Sequence, residues 1–156
     1  MVKILFVCLG NICRSPMIEA IFLDLLNKEQ LTKEIVVDSA GIANWHEGKR
    51  PHKGTLDKLT SRNVGHEWMK SRQITKEDWE TFDYIIAMDD QNIEDLRAMM
   101  PDDSTTIVLK AADFINDEAI TYVPDPYYTG DFDETYDLVT EASQRLLSYI
   151  REKHNF

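Results

Sequence analysis

The spacing of hydrophobic residues changes along the chain in a regular way. Val2 to Val7 is almost continuously apolar and stops at a Gly-Asn turn signal, the pattern of a strand covered on both faces in a parallel sheet. From Pro16 the period becomes 3.6, with Ile18, Ile21, Phe22, Leu25 and Leu26 on one stripe. Ser15 before Pro16 supplies an N-cap followed by a first-turn proline, so the first helix is expected to begin at Pro16. A second short strand is expected over Glu34 to Ala40, running into Gly41 and a loop through Trp45, Gly48 and Pro51. A helix over about His52 to Asn63 follows, then a helix start at Thr75, where Thr75 to Asp78 approximates a capping box with Asp in place of Glu. Asp83 to Met88 reads as a third buried strand and Gln91 to Met100 as a helix stopped by Pro101, with Ile93, Leu96 and Met100 inward. Thr105 to Leu109 supplies a fourth strand. Pro124 to Gly130 is rigid, aromatic and irregular, and Phe132 to Lys153 is a last helix with Val139, Ala142, Leu146, Tyr149 and Ile150 inside. Helices between successive strands imply a parallel sheet sandwiched by helices, with ligands at the carboxyl ends of the strands.

Composition narrows the function classes. The 156 residues suit one domain, and 43% apolar with 29% charged side chains is the make-up of a globular chain able to fold alone. A formal net charge of -11 repels nucleic acid and anionic membrane surfaces, so neither is an expected partner. No segment approaches the ~20 apolar residues of a membrane span. The first apolar run is too short for a signal-peptide core, so the protein is expected in the cytoplasm. Two cysteines, Cys8 and Cys13, exclude a disulfide framework or a four-cysteine zinc site and leave reactivity as the question.

The segment from Cys8 to Ser15 falls in the first strand-to-helix loop, where backbone amides and a helix N-terminus form a nest for a tetrahedral anion. Gly10 and Asn11 tolerate the left-handed backbone such a nest requires. One glycine and no closing lysine exclude the two common nucleotide-binding loops. What remains is a thiol at the base of the loop and the Arg14 guanidinium six residues on, able to hold two oxygens at once. Amides and guanidinium together favour the Cys8 thiolate, a nucleophile facing a bound phosphate.

The run Cys8-Leu9-Gly10-Asn11-Ile12-Cys13-Arg14-Ser15-Pro16 resembles the C-x5-R-[ST] loop of the low-molecular-weight protein tyrosine phosphatases. The likeness extends through Asp38 to Gly41, Trp45, Gly48 to Pro51, Arg72-Gln73-Ile74, Phe82 to Ile85, Met88-Asp89 and Asp125-Pro126-Tyr127-Tyr128. It implies an α/β fold, a single-domain three-layer sandwich over residues 1–156 with a four-stranded parallel sheet flanked by helices. The implied activity is phosphomonoester hydrolysis with no metal and no cofactor. Position by position, Cys8 matches the nucleophile, Arg14 the residue that binds phosphate and transition state, and Asp125 the general acid. Leu9, Gly10, Asn11, Ile12 and Cys13 line the phosphate loop, Ser15 matches the hydroxyl that stabilises the thiolate, and Asn11 and Ser39 match residues bracing the loop. Trp45, Tyr127 and Tyr128 would wall a cleft deep enough for an aryl phosphate. The implied partners are phosphotyrosine proteins, and the chain is expected to be a monomer, with Tyr127 and Tyr128 offering at most weak self-association. Family members often carry a histidine where this chain has Met69, so the outer end of the bracing network needs another residue; His46, His52, His66 and His154 are expected at the surface.

Three rivals bear on this reading. Arsenate reductases share the loop but need later cysteines, and none follows Cys13. Arginine phosphatases carry threonine at the position of Ile12; a bulky apolar residue there, with Tyr127, favours phosphotyrosine. A phosphate-binding module without turnover would need neither the thiol nor a distant acid.

Overall fold

The computed structural model describes residues 1–156. Four strands, β1 (Val2–Cys8), β2 (Ile35–Gly41), β3 (Tyr84–Ala87) and β4 (Ile107–Lys110), form one sheet in the order β2-β1-β3-β4. Every pair is parallel, with Phe6 of β1 opposite Ser39 on one side and Ile86 on the other. The helices are α1 (Arg14–Lys28), α2 (Lys53–Ser61), α3 (Asp78–Thr81), α4 (Asp90–Met99), α5 (Pro126–Thr129) and α6 (Phe132–His154). Together they make the three-layer α/β sandwich expected from the alternation of elements.

The near-continuous apolar run of β1 is explained by its two neighbours and two covered faces. Ile4, Phe6 and Cys8 enter the larger core, built with α1 and α6, while Leu5 and Val7 enter a smaller one with Trp79, Phe82 and Leu96. Phe6 meets Phe22 of α1 with ring centroids 5.6 Å apart. The chain runs from β1 outward to β2 and then returns to β3 and β4 on the other side. Loops after β1 and β3 therefore part at β1, opening a crevice at the carboxyl end of that strand. No helix is long and apolar enough to cross a membrane.

Four local expectations are corrected. Helix α1 starts at Arg14 rather than Pro16, and its N-cap position is Cys13 with no side-chain cap; the Ser15 hydroxyl is committed to Cys8 and Asn11 instead. All residues of α1 from Arg14 to Phe22 are buried, so its first half is covered all round and not only along one stripe. The helix expected from Thr75 is the single turn α3, because Asp78 is buried and accepts from the Arg72 guanidinium as well as from the Thr75 amide. The 124–130 segment is not wholly irregular: the Asp125 carboxylate accepts from the Tyr127 amide and caps α5, which Gly130 ends in the left-handed region at φ 74°.

Candidate active site

The strand β1 delivers Cys8 to the crevice, and the loop from Leu9 to Cys13 curls into the N-terminus of α1. Its carbonyls, that of Asn11 apart, are bonded to partners outside the loop. Those of Cys8 and Leu9 accept from the Ile42 and Ala43 amides, that of Gly10 from the Ser71 hydroxyl, that of Ile12 from the His52 amide, and that of Cys13 from the Thr55 hydroxyl. The amides of Gly10, Asn11, Ile12 and Cys13 donate to no protein acceptor. A loop with most of its acceptors anchored elsewhere and its amide donors unused, running into a helix N-terminus, is suited to hold an anion. Asn11 makes the turn possible by adopting φ 56°.

Arg14 is 2% exposed. Its Nη1 donates to Asp89 Oδ2 at 2.7 Å and to the Val123 carbonyl at 2.9 Å, and its Nη2 reaches Asp125 Oδ2 at 3.4 Å. Nε is buried with no protein acceptor, so the Nε and Nη2 edge of the guanidinium keeps donors to spare, the pair of donors that fits two oxygens of one phosphate. Burial works against the charge of Arg14, but Cys8, Asp125 and Asp89 outweigh it and hold the guanidinium protonated. Cys8 is buried, with Sγ 3.1 Å from Ser15 Oγ. Cys13 differs from Cys8: burial, reinforced by Cys8 and Asp125, pushes its thiol up to about 12, so it stays protonated at neutral pH.

Above the loop lies a small cleft open to solvent. Cys8, Leu9, Gly10, Ile12 and Cys13 form its base, Trp45 and His46 one wall, and Asp125, Tyr127 and Tyr128 the other. Trp45 and Tyr128 are 65% and 75% exposed, so they stand at the rim rather than deep in the slot. Tyr127 is held more firmly, with its ring edge-on to His52 and to Tyr128. Asn11 is a special case among the expected cleft residues. Its side chain is turned away from the cleft into the bracing network, so it can meet a ligand only through its backbone amide.

That network was only partly legible from the chain. Asn11 donates to Ser15 and Ser39 and accepts from the Arg72 amide. Ser39 in turn donates to Glu19, which also accepts from the Trp68 indole. Met69 is buried in the apolar core and contributes no donor, while His66 bonds to Arg50 and Thr60 outside the network. Sequence reasoning also missed Asp89 and His46. A signal existed for two of the missed residues: Glu19 is an acid between apolar Ile18 and Ala20, and Asp89 follows directly on the third strand, where ligands of such sheets sit. Nothing in the sequence marked Trp68.

The sequence profile of the family described as "Low molecular weight phosphotyrosine protein phosphatase" matches residues 3–155. The chain belongs to this family. It is 46% identical over 153 residues to the low molecular weight protein-tyrosine-phosphatase YfkJ of Bacillus subtilis, covering 98% of each chain. It is 40% identical over 155 residues to PtpA of Staphylococcus aureus, covering 99% of this chain and 97% of that one. The crystal structure of YfkJ superposes with a TM-score of 0.95 at 45% identity, covering 99% of this chain and 97% of that one. A Drosophila arginine phosphatase superposes with a TM-score of 0.90 at 32% identity, covering 96% and 98%. Relatives of this fold thus bear the names of both tyrosine and arginine phosphatases, and specificity has to be sought in the cleft.

Proposed function

We propose that this phosphatase hydrolyses phosphotyrosine in proteins through a cysteinyl-phosphate intermediate, with Cys8 as nucleophile, Arg14 as the phosphate and transition-state ligand, and Asp125 as general acid. The observation that carries the reading is that buried Arg14 reaches Asp125, 111 positions away in sequence, at 3.4 Å, and that Asp125 lines the same cleft as Cys8. The phosphoryl group would sit with its three equatorial oxygens on the loop amides and the free edge of Arg14, and with its phosphorus in line with Cys8 Sγ. Attack forms the S–P bond and breaks the P–O bond to the tyrosyl oxygen, while Asp125 gives that oxygen its proton. A phenol of pKa about 10 leaves readily only when protonated in this way. Asp125, now a carboxylate, then takes a proton from water as that water attacks phosphorus; the S–P bond breaks, and the thiolate and inorganic phosphate result. No step requires a metal or cofactor, since Arg14 and the amides neutralise the charge that develops.

Ile12 at the base of the cleft and Tyr127 at its wall favour a flat aryl group between apolar surfaces. Phosphoarginine is the second reading, favoured by the likeness to the Drosophila enzyme. The whole chain is proposed to act as one phosphatase domain, monomeric and cytoplasmic. Phosphate release from matched phosphotyrosine, phosphoserine and phosphoarginine peptides, with and without chelator, tests the proposal on wild type and Cys8→Ser. Phosphotyrosine turnover that ignores chelator and disappears in Cys8→Ser is expected. A strong phosphoarginine preference would keep Cys8 and overturn the substrate, and turnover by Cys8→Ser would overturn the mechanism.

A further inference from the structure

The hydrogen bonds behind the loop form a chain with a fixed direction. Asn11 Oδ1 accepts from the Arg72 backbone amide at 3.0 Å, and because a backbone N–H can only donate, the side-chain amide cannot flip. Both Nδ2 protons are therefore committed, one to Ser15 Oγ at 2.7 Å and one to Ser39 Oγ at 3.0 Å. Each serine already accepts and has a single proton left to place. For Ser15 the neighbour is Cys8 Sγ at 3.1 Å, which accepts that proton when Cys8 is a thiolate; for Ser39 it is Glu19 Oε1 at 2.5 Å. The other carboxylate oxygen of Glu19 accepts from Trp68 Nε1 at 2.8 Å, and an indole is a donor only. Two donors thus point at Glu19 from opposite ends, an arrangement that favours the carboxylate over the acid.

Glu19 is 5% exposed and has no ion-pair partner. Burial raises its pKa above the usual carboxylate range, Ser39 and Trp68 pull it down, and of the charged groups facing it Asp38 raises it and Arg72 lowers it. A carboxylate retained in such a place against its desolvation penalty calls for a reason other than stability.

We propose that Glu19 and Trp68 are positioning residues for the Cys8 nucleophile: the indole anchors the carboxylate, the carboxylate holds the Ser39 hydroxyl in place, and Ser39 with the Arg72 amide holds the Asn11 side chain that sets Ser15 beside the Cys8 sulfur. The proposal rests on the reading of Cys8 as nucleophile. If Glu19 loses its anchor, Ser39 can turn its proton inward against the Asn11 amide. The left-handed turn at Asn11 then loses one of its braces, and Ser15 is held less firmly beside the sulfur.

Trp68 is about half exposed, so Trp68→Phe removes the donor at the surface with little change in packing. The test follows the rate of Cys8 alkylation by iodoacetamide against pH, assigned by peptide mapping, alongside kcat/KM for a phosphotyrosine peptide. Cys13 does not interfere because its thiol remains protonated over this range. In Trp68→Phe the alkylation midpoint should rise by about 0.5 to 1 pH unit, with kcat/KM down about three- to tenfold below the midpoint and near wild type well above it. In a Glu19→Gln background, Trp68→Phe should add nothing, since the carboxylate it supports is gone. A midpoint unchanged in Trp68→Phe, or a loss of rate equal at every pH and matched by lower thermal stability, would overturn the positioning role. Cys8→Ser separates the two layers: if it is inactive while the Trp68→Phe midpoint matches wild type, only this inference falls, and if Cys8→Ser turns over substrate, the nucleophile reading falls as well.

Discussion

Replacing Asp125 by Asn asks whether its carboxyl moves a proton or merely sits near one. The structure predicts that the change is mild for folding. Asp125 Oδ1 accepts from the Tyr127 amide and caps a single-turn helix, and Asn caps about as well as Asp. The contact of Oδ2 with Arg14 Nη2 is long at 3.4 Å, and Arg14 keeps its shorter bonds to Asp89 and Val123. What Asn removes is the transferable proton. General acid catalysis contributes about 10²- to 10⁴-fold, or about 2.7 to 5.4 kcal/mol at about 1.36 kcal/mol per decade. The full loss should appear in kcat/KM for phosphotyrosine, whose leaving group has a pKa of about 10. It should shrink to less than about tenfold for aryl phosphates whose phenols are strongly acidic, because these depart as anions without help. The assay is kcat/KM for wild type and Asp125→Asn across a series of aryl phosphates of graded leaving-group pKa, which reports the step that expels the phenol and not the later hydrolysis of the intermediate. A wild-type series nearly flat in leaving-group pKa and a steep variant series are expected. The same fractional loss with every leaving group would refute proton donation and leave Asp125 with only an electrostatic role beside Arg14.

Two further predictions concern the frame of the loop. A Cβ on Gly41 would lie 3.0 Å from the Leu9 and Ala43 carbonyl oxygens and 3.1 Å from the Asn11 nitrogen, while the Gly41 amide and carbonyl are both tied, to Arg72 and Ile74. Neither side can give way easily, so Gly41→Ala should destabilise by about 1–3 kcal/mol and weaken inhibition by inorganic phosphate; urea midpoints and phosphate inhibition both at wild-type values would contradict the packing argument. Burial raises the Glu19 pKa, so between its unfolded and folded values the native state binds more protons than the unfolded chain. The Glu19 contribution to stability is therefore lost as pH rises through that interval, and urea midpoints of wild type should fall relative to Glu19→Gln; parallel profiles would show that the carboxyl is not strained by burial.

These predictions link two demands placed on the same residues. Glu19 lowers stability on charging yet holds the direction of the bonds that reach Cys8, and Arg14 is kept charged in a buried position by Asp89 and Asp125. Function accounts for both, in the way active sites commonly trade stability for preorganisation.

Local signals were strong where one short segment carried both the pattern and the chemistry. The continuous apolar run of β1, the switch to a 3.6 period and the intervening Cys8 to Ser15 loop were readable because a strand, a helix and an anion nest each impose their own residue spacing. The alternation of elements likewise determined the parallel α/β sandwich. Ends of elements were less legible: Ser15 looked like a helix cap and proved to lie in the first turn with its hydroxyl against Cys8 and Asn11, since cap and network compete for the same hydroxyl and only three-dimensional proximity decides between them. Asp89 and Trp68 escaped notice for a related reason. Each acts through a partner 75 or 49 positions away, Arg14 or Glu19, and no periodicity connects residues whose contact is made by the sheet order and the packing of a loop over α1. The sequence by itself determined the fold class and the nucleophile loop, because those depend on neighbours along the chain. Which acid meets Arg14, what holds Asn11 in its left-handed turn and how wide the cleft opens were decided only by tertiary structure, because they depend on directions in space that the order of residues does not encode.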